Sequence, residues 1–348
     1  MAVSATDAIG PAMRRTGKVL FQPFRFKKWM VLAVGAWLAS LGEGGGSGGS
    51  FNSSGGGRGP GAGGGGAPAK NFAETMQDVG NWITTYLTLI LVIAGVAIVL
   101  GFCIYLVVRW LSARGQFIFL DNIVSNKAEV KKPWAAFREI AFSLFKFRIY
   151  WDLAWFNAYL ALSIIAAALA WHDFKAGLIQ GDYPFTAWTI WAIVLMAGGC
   201  LLLLPVWAFL HLLIFKLAIP VMYVRRIRLW PAVKETWREL FMPHKGACLV
   251  FFLMLIVTGM AQALWGILAI IVLAIATCCI GYFLLLIPFF GGYVLALVTL
   301  PPLVFSRAYA LHFIEQFGTA YEVSWQDELR GGFPVILDVP PDVPPAAL

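Results

Sequence analysis

Between residues 246 and 306 the chain carries no Asp, Glu, Lys, Arg or His. A run of that length cannot be hidden inside a soluble domain, and about 20 apolar residues already cross a hydrocarbon core of about 30 Å. The run fits two membrane spans joined by a tight turn. The turn is expected at 277–281. Pro288, Gly291 and Gly292 offer a rival break, which would leave the last span discontinuous.

Apolar runs of similar character recur upstream. Hydrophobic residues make up 60% of the chain and charged residues 13%, and the mean hydropathy is +0.78, outside the range of soluble proteins. The runs are too long and continuous for barrel strands. The expected fold is therefore an all-α polytopic membrane protein with six transmembrane helices. The spans are placed at about 29–41, 83–108, 150–171 and 185–215, with two more inside 246–306.

The first of these is short. It reads either as a signal-peptide core, with Ala36, Ala39 and Ser40 near a cleavage point, or as a span that borrows length from Phe24 and Phe26 while Lys27 and Lys28 snorkel to the interface. The span is preferred because a repeat, described below, includes it. Residues 117–124 are expected to continue the second span along or just below the membrane surface. Pro205 is expected to kink the fourth.

Charge sets the orientation. Of the 26 Lys and Arg residues, 21 fall in the N-terminal segment and the loops after spans two and four. That alternation places both termini in the cytoplasm, in an inner membrane. The net charge of +8 is thus a topology signal and does not point to nucleic acid.

The segment WPAVKETWRELF, starting at Trp230, has two weaker relatives upstream. Met13, Gly17, Leu20 and Phe21 correspond to Phe137, Ala141, Leu144 and Phe145, and to Val233, Trp237, Leu240 and Phe241. This i, i+4, i+7, i+8 spacing is one face of a helix, and a basic residue follows the first position each time. The expected unit is an amphipathic interfacial helix ahead of a helical hairpin, present three times. The chain then divides into 1–23, the N-terminal cytoplasmic segment; 24–109, the first hairpin with a Gly-rich linker at 42–69; 110–219, the second amphipathic segment and hairpin; 220–306, the third; and 307–348, a cytoplasmic tail with a proline-rich end.

Two sets of candidate functional residues follow. Arg14, Lys18, Arg138, Lys234 and Arg238, on the interfacial helices, suit anionic lipid headgroups. Asp152, Asn157 and His211 form a possible intramembrane polar site, with Arg148, one turn earlier, as the expected partner of Asp152. Gln262 and Thr258 are expected to hydrogen-bond between helices. The five cysteines lack metal-ligand spacing and read as inert thiols, with the adjacent Cys278 and Cys279 as the pair to watch. His172 and Asp173 are a dyad in sequence only, with no serine motif beside them. No cofactor or metal motif is visible.

WPAVKETWRELF, its relative PWAAFREIAFSLF and the opening LFQPFRFKKWMVLAVGAWLASLG ahead of a Gly-rich stretch resemble uncharacterised bacterial multi-pass membrane proteins. These include proteins related to the membrane domain of glycerophosphoryl diester phosphodiesterases. The resemblance implies a membrane module without the phosphodiesterase activity and carries over no functional residue. The expected role is a non-enzymatic module that binds membrane lipids, or a protein partner through the tail. The rival is a small-solute or ion transporter that uses Asp152.

Overall fold

The computed structural model describes residues 3–22, 24–41, 72–180, 186–276 and 290–325. Among them every regular element is helical. The order is α1 (Ile9–Phe21), α2 (Phe26–Ser40), α3 (Phe72–Ser125), α4 (Lys131–Ala136), α5 (Arg138–Gln180) and α6 (Ala187–His211). A π-helical stretch, Leu212–Ala218, leads into α7 (Ile219–Arg225). Then come α8 (Leu229–Glu235), extended by a second π-helical stretch, Thr236–Phe241, and α9 (Lys245–Ala276). α10 (Phe290–Val298), α11 (Leu300–Glu315) and one 3₁₀ turn, Thr319–Tyr321, complete it.

Among the described residues, four helical stretches are long and apolar enough to cross a membrane: Thr85–Ser125, Arg138–Lys175, Ala187–Arg225 and Lys245–Val272. The pair α10 and α11, bent by 69°, makes a fifth if it is one span. α2 is a helix as expected, but its 15 residues reach only about 22 Å, and it packs along α3 and α10. The proposed turn at 277–281, Pro288 and the linker 42–69 lie outside the described residues. Gly291 and Gly292 are helical, and the bend falls at Thr299 instead, just ahead of Pro301 and Pro302. Pro302 has no N–H to offer the carbonyl four residues back, so the helix breaks there.

The buried core is not in the middle of the spans. It gathers at their basic ends, where α1, the last turns of α3, the first turns of α5, α7, α8, the start of α9 and α11 meet. The middles of the spans leave large apolar side chains exposed, among them Leu91, Ile98, Phe102, Leu201 and Leu264, as lipid-facing helices do. Phe117, Phe119, Leu120 and Ile123 are essentially fully buried. Residues 117–124 continue the second span as a helix, as expected, and are packed inside the protein. This stretch simply continues α3, a single helix of 54 residues, into a socket formed by α2, α5, α7 and α11.

Close contacts fix that socket. A Cβ on Gly115 of α3 would stand 2.4 Å from Leu38 Cβ and 2.7 Å from the Ala39 nitrogen of α2. Ser112 Oγ, one turn earlier, donates to the Ala39 carbonyl at 3.0 Å. On the expected outer side, α5 runs on to Gln180, so the expected loop at 172–184 begins in helix. Asp173 there accepts from the Thr186 hydroxyl at 2.6 Å and from the Thr189 hydroxyl, both at the start of α6. A carboxylate at a helix N-terminus satisfies its free N–H groups and suits its dipole. Asp173 thus ties one end of the hairpin.

Candidate functional site

The three interfacial segments differ in form. α1 and the α8 segment are separate from the spans that follow, whereas the second copy, from Trp134, starts in α4 and runs through Phe137 into the first part of α5 itself. Their burial agrees at two shared positions. Thr16, Ile140 and Thr236 are buried, and so are Leu20, Leu144 and Leu240, each of the three leucines fully. The first position of the expected face disagrees: Phe137 is buried, Val233 half-buried and Met13 exposed.

The opposite faces carry the candidate cations. Arg14, Lys18, Arg138, Lys234 and Arg238 are all exposed. Exposed apolar side chains stand beside them: Met13, Phe21, Phe24 and Phe26 around α1, Trp230 and Met242 around α8. Exposed aromatics next to exposed cations on one short helix are what a headgroup layer accommodates, with the ring toward the acyl boundary and the charge toward phosphate.

Asp152 takes different partners from the one expected. Its carboxylate is paired with Arg109 and accepts from the Tyr105 hydroxyl, both on α3. Arg148 is buried, donates to Ser112 Oγ at 2.7 Å and lies over the Phe215 ring at 5.2 Å. The reason is helix phase: the face of α5 that carries Asp152 looks at α3, where Arg109 and Ser112 already stand three residues apart. The result is a polar seam between two apolar helices. Asn157 lies on the exposed side and donates to the Leu153 carbonyl of its own helix at 2.8 Å. His211 stacks with Trp207 and Phe215, at 4.9 and 4.6 Å between ring centres. In span five Gln262 does bridge, donating to the Pro302 carbonyl at 2.8 Å, while Thr258 bonds back to Leu255 of its own helix.

Several organising residues escaped the sequence reading. Arg15, beside the exposed Arg14, is buried and donates to the Ile123 and Val124 carbonyls at 2.7–3.0 Å. It therefore caps the C-terminus of α3, where unpaired carbonyls and the dipole favour a cation. Lys28 is buried rather than snorkelling. Its Nζ donates to Asn126 at 2.7 Å, the residue that ends α3 with a φ of 53°. Arg114 is also buried, set between Trp110 and Trp134. The described part of the tail, up to Trp325, packs back on the helices. Tyr321, on the 3₁₀ turn, lies 2.8 and 2.7 Å from carboxylate oxygens of Glu235 and Glu239 beside α8, and Trp325 donates to Glu315 at 2.6 Å. Burial first, then these two acids, hold the Tyr321 phenol well above its ordinary pKa. The only hint in the sequence was the loss of helical periodicity after residue 315.

Among the described residues no three His, Cys, Asp or Glu side chains gather as a metal site. His172 Nδ1 lies 3.3 Å from Asp173, but the carboxylate is occupied by α6. Cys103 is exposed and Cys248 buried, both as free thiols, and Cys278 and Cys279 lie outside the described residues.

No curated protein and no solved structure matches the chain. A family model matches residues 3–324, and it carries no link to glycerophosphoryl diester phosphodiesterases. The chain belongs to a family of unknown function, DUF7544.

Proposed function

We propose that this protein is a non-enzymatic membrane module whose interfacial helices hold anionic lipid headgroups, with six spans and both termini on the cytoplasmic side of an inner membrane. The observation that carries the reading is the pairing of exposed cations with exposed aromatic and apolar side chains on α1 and around α8. Each cation near an anionic surface is worth about 1 kcal/mol, so the set favours anionic over zwitterionic lipid without a shaped pocket. A protein partner engaging the described part of the tail would meet Thr319, Glu322 and Ser324, which are exposed, while Tyr321, Val323 and Trp325 are packed on the core.

The test is tryptophan quenching by brominated lipids in reconstituted bilayers. The unaltered protein should prefer brominated phosphatidylglycerol over brominated phosphatidylcholine. Changing Arg14, Lys18, Lys234 and Arg238 together to Gln should remove most of that preference. An unchanged preference rejects the reading.

A transport role for Asp152 is the second reading, favoured by the polar seam between α3 and α5. The carboxylate already has Arg109 and Tyr105 as partners, which weakens the case for a free ion ligand. Proteoliposomes should show a solute or ion flux lost in Asp152→Asn if this second reading holds.

A further inference from the structure

We infer that Arg114 and Arg138 together form a site for one phosphate-bearing lipid headgroup, framed by Trp110 and Trp134 at the level where α3 leaves the membrane. This rests on the reading that the chain sits among anionic lipids, but it names a single site in place of a diffuse surface.

The depth comes first. Val107 of α3 is 53% exposed, whereas Ala113, less than two turns on, is fully buried in the core. Trp110 and Arg114 stand at that transition. Two tryptophans there, edge to face with ring centres 5.6 Å apart, are placed as interfacial aromatics are.

The charge comes second. Arg114 is only 8% exposed. Its guanidinium lies 5.0 Å from the Trp110 ring centre and 4.9 Å from that of Trp134. One nitrogen, Nη1, donates to the Trp134 carbonyl at 2.8 Å, and Nε is enclosed with no acceptor. Among the described residues no carboxylate pairs with it. The nearby charge that acts on it is of the same sign, the guanidinium of Arg138. A buried cation without a counter-ion, with a second cation one turn beyond Trp134, whose carbonyl it binds, is unfavourable in a protein left to itself.

The neighbouring acids are already engaged elsewhere. Glu139, next to Arg138, lies 4.0 Å from Arg228, and Glu129 pairs with Lys132 at 3.2 Å. Lys131 adds a further exposed positive charge on α4. A phosphodiester placed against the outer edge of Arg114 and against Arg138 resolves the imbalance, because guanidinium N–H groups donate charge-assisted hydrogen bonds to phosphate oxygens. The tryptophan rings then flank the glycerol and the start of the acyl chains.

The experiment is native mass spectrometry of the full-length protein released from mixed phosphatidylglycerol and phosphatidylcholine. One phosphatidylglycerol should be retained after the remaining lipid is stripped. Arg138 is exposed, so R138Q should fold and melt like the unaltered protein, yet lose retention by about tenfold, the scale of one charge-assisted hydrogen bond. R114K, which keeps the charge but not the fork, should also weaken retention. Equal retention in R138Q and the unaltered protein overturns the site. Displacement of the lipid by inorganic phosphate overturns the lipid assignment in favour of free phosphate, and resistance to displacement supports it. The four-residue Gln variant on α1 and α8 should keep this single adduct while losing bulk anionic preference. Failure of the general reading and failure of this site are therefore told apart.

Discussion

The Trp265 indole N–H donates to the Val298 carbonyl at 3.0 Å, across the interface between α9 and α10. Val298 is four residues before Pro302, the residue that cannot supply the usual helical N–H. A side chain from a neighbouring helix thus replaces a missing backbone donor at the 69° bend, and Gln262 one turn away donates to Pro302 itself. Trp265→Phe should leave that carbonyl unserved at a cost of about 1–3 kcal/mol. A lowered melting temperature in detergent, with faster hydrogen exchange around Thr299, is the expected result. Unchanged exchange there would show that the bend holds without the indole.

Arg15 should be worth more than its exposed neighbour. Arg15→Gln removes a buried charged donor from two carbonyls at the end of α3, and hydrogen bonds to charged groups contribute about 1.5–3 kcal/mol. Arg14→Gln on the next position should change stability by less than about 0.5 kcal/mol. Thermal melts of the two single variants make the comparison directly.

Gly115 leaves no room for a side chain. In Gly115→Ala the new methyl meets Leu38 and the backbone of Ala39, and backbone cannot rotate away. The cost should be about 1–3 kcal/mol, as for other overpacked sites. Gly101→Ala, where nothing lies within 4 Å, should be tolerated. Yield and monodispersity after purification distinguish the two.

The seam between α3 and α5 predicts a coupling. Asp152→Asn leaves Arg109 without its carboxylate, and Arg109→Gln leaves Asp152 without its cation, so each should destabilise. The double variant should cost less than the sum of the two, because the surviving charge is what makes each single change expensive. A strictly additive cycle would show that the pair contributes no coupling.

Tyr321 gives a pH dependence of defined sign. Its phenol is held above the unfolded value of roughly 10. The stabilisation is therefore complete below that value and is lost as pH rises through the higher folded one. Stability should thus be flat with respect to this group from pH 6 to about 9 and fall above about 10. Tyr321→Phe should lessen that alkaline fall by the share of this one group, which melts across the alkaline range would register.

The helical membrane class was legible because a 3.6-residue period and long uncharged runs are local properties. Within the repeat, Leu20, Leu144 and Leu240 were placed correctly on one buried face, since each is decided by its own amphipathic turn. What was misread depends on partners distant in sequence. Arg15 and Arg14 are indistinguishable as letters, and only the arrival of the α3 terminus makes one a cap and the other a surface charge. Asp152 was assigned to Arg148 because helical spacing is visible and the facing helix is not. The sequence shows residues 117–124 only as a short apolar stretch with basic residues on both sides. Their burial follows from four other helices converging on the same place. Arg114 simply follows an apolar run in the sequence, and its indole neighbours are 4 and 20 positions away.

α1 packs along α11, with Ser4 and Gln316 joined at 2.8 Å across 312 positions and Tyr309 donating to the Ala5 carbonyl. α1 is therefore made about 290 residues ahead of the helix it packs against. Throughout synthesis Ala12, Val19 and Leu20 have no permanent neighbour on α11, while Arg14 and Lys18 can already meet the bilayer. Closure of the core at this end therefore waits until α11 has been made.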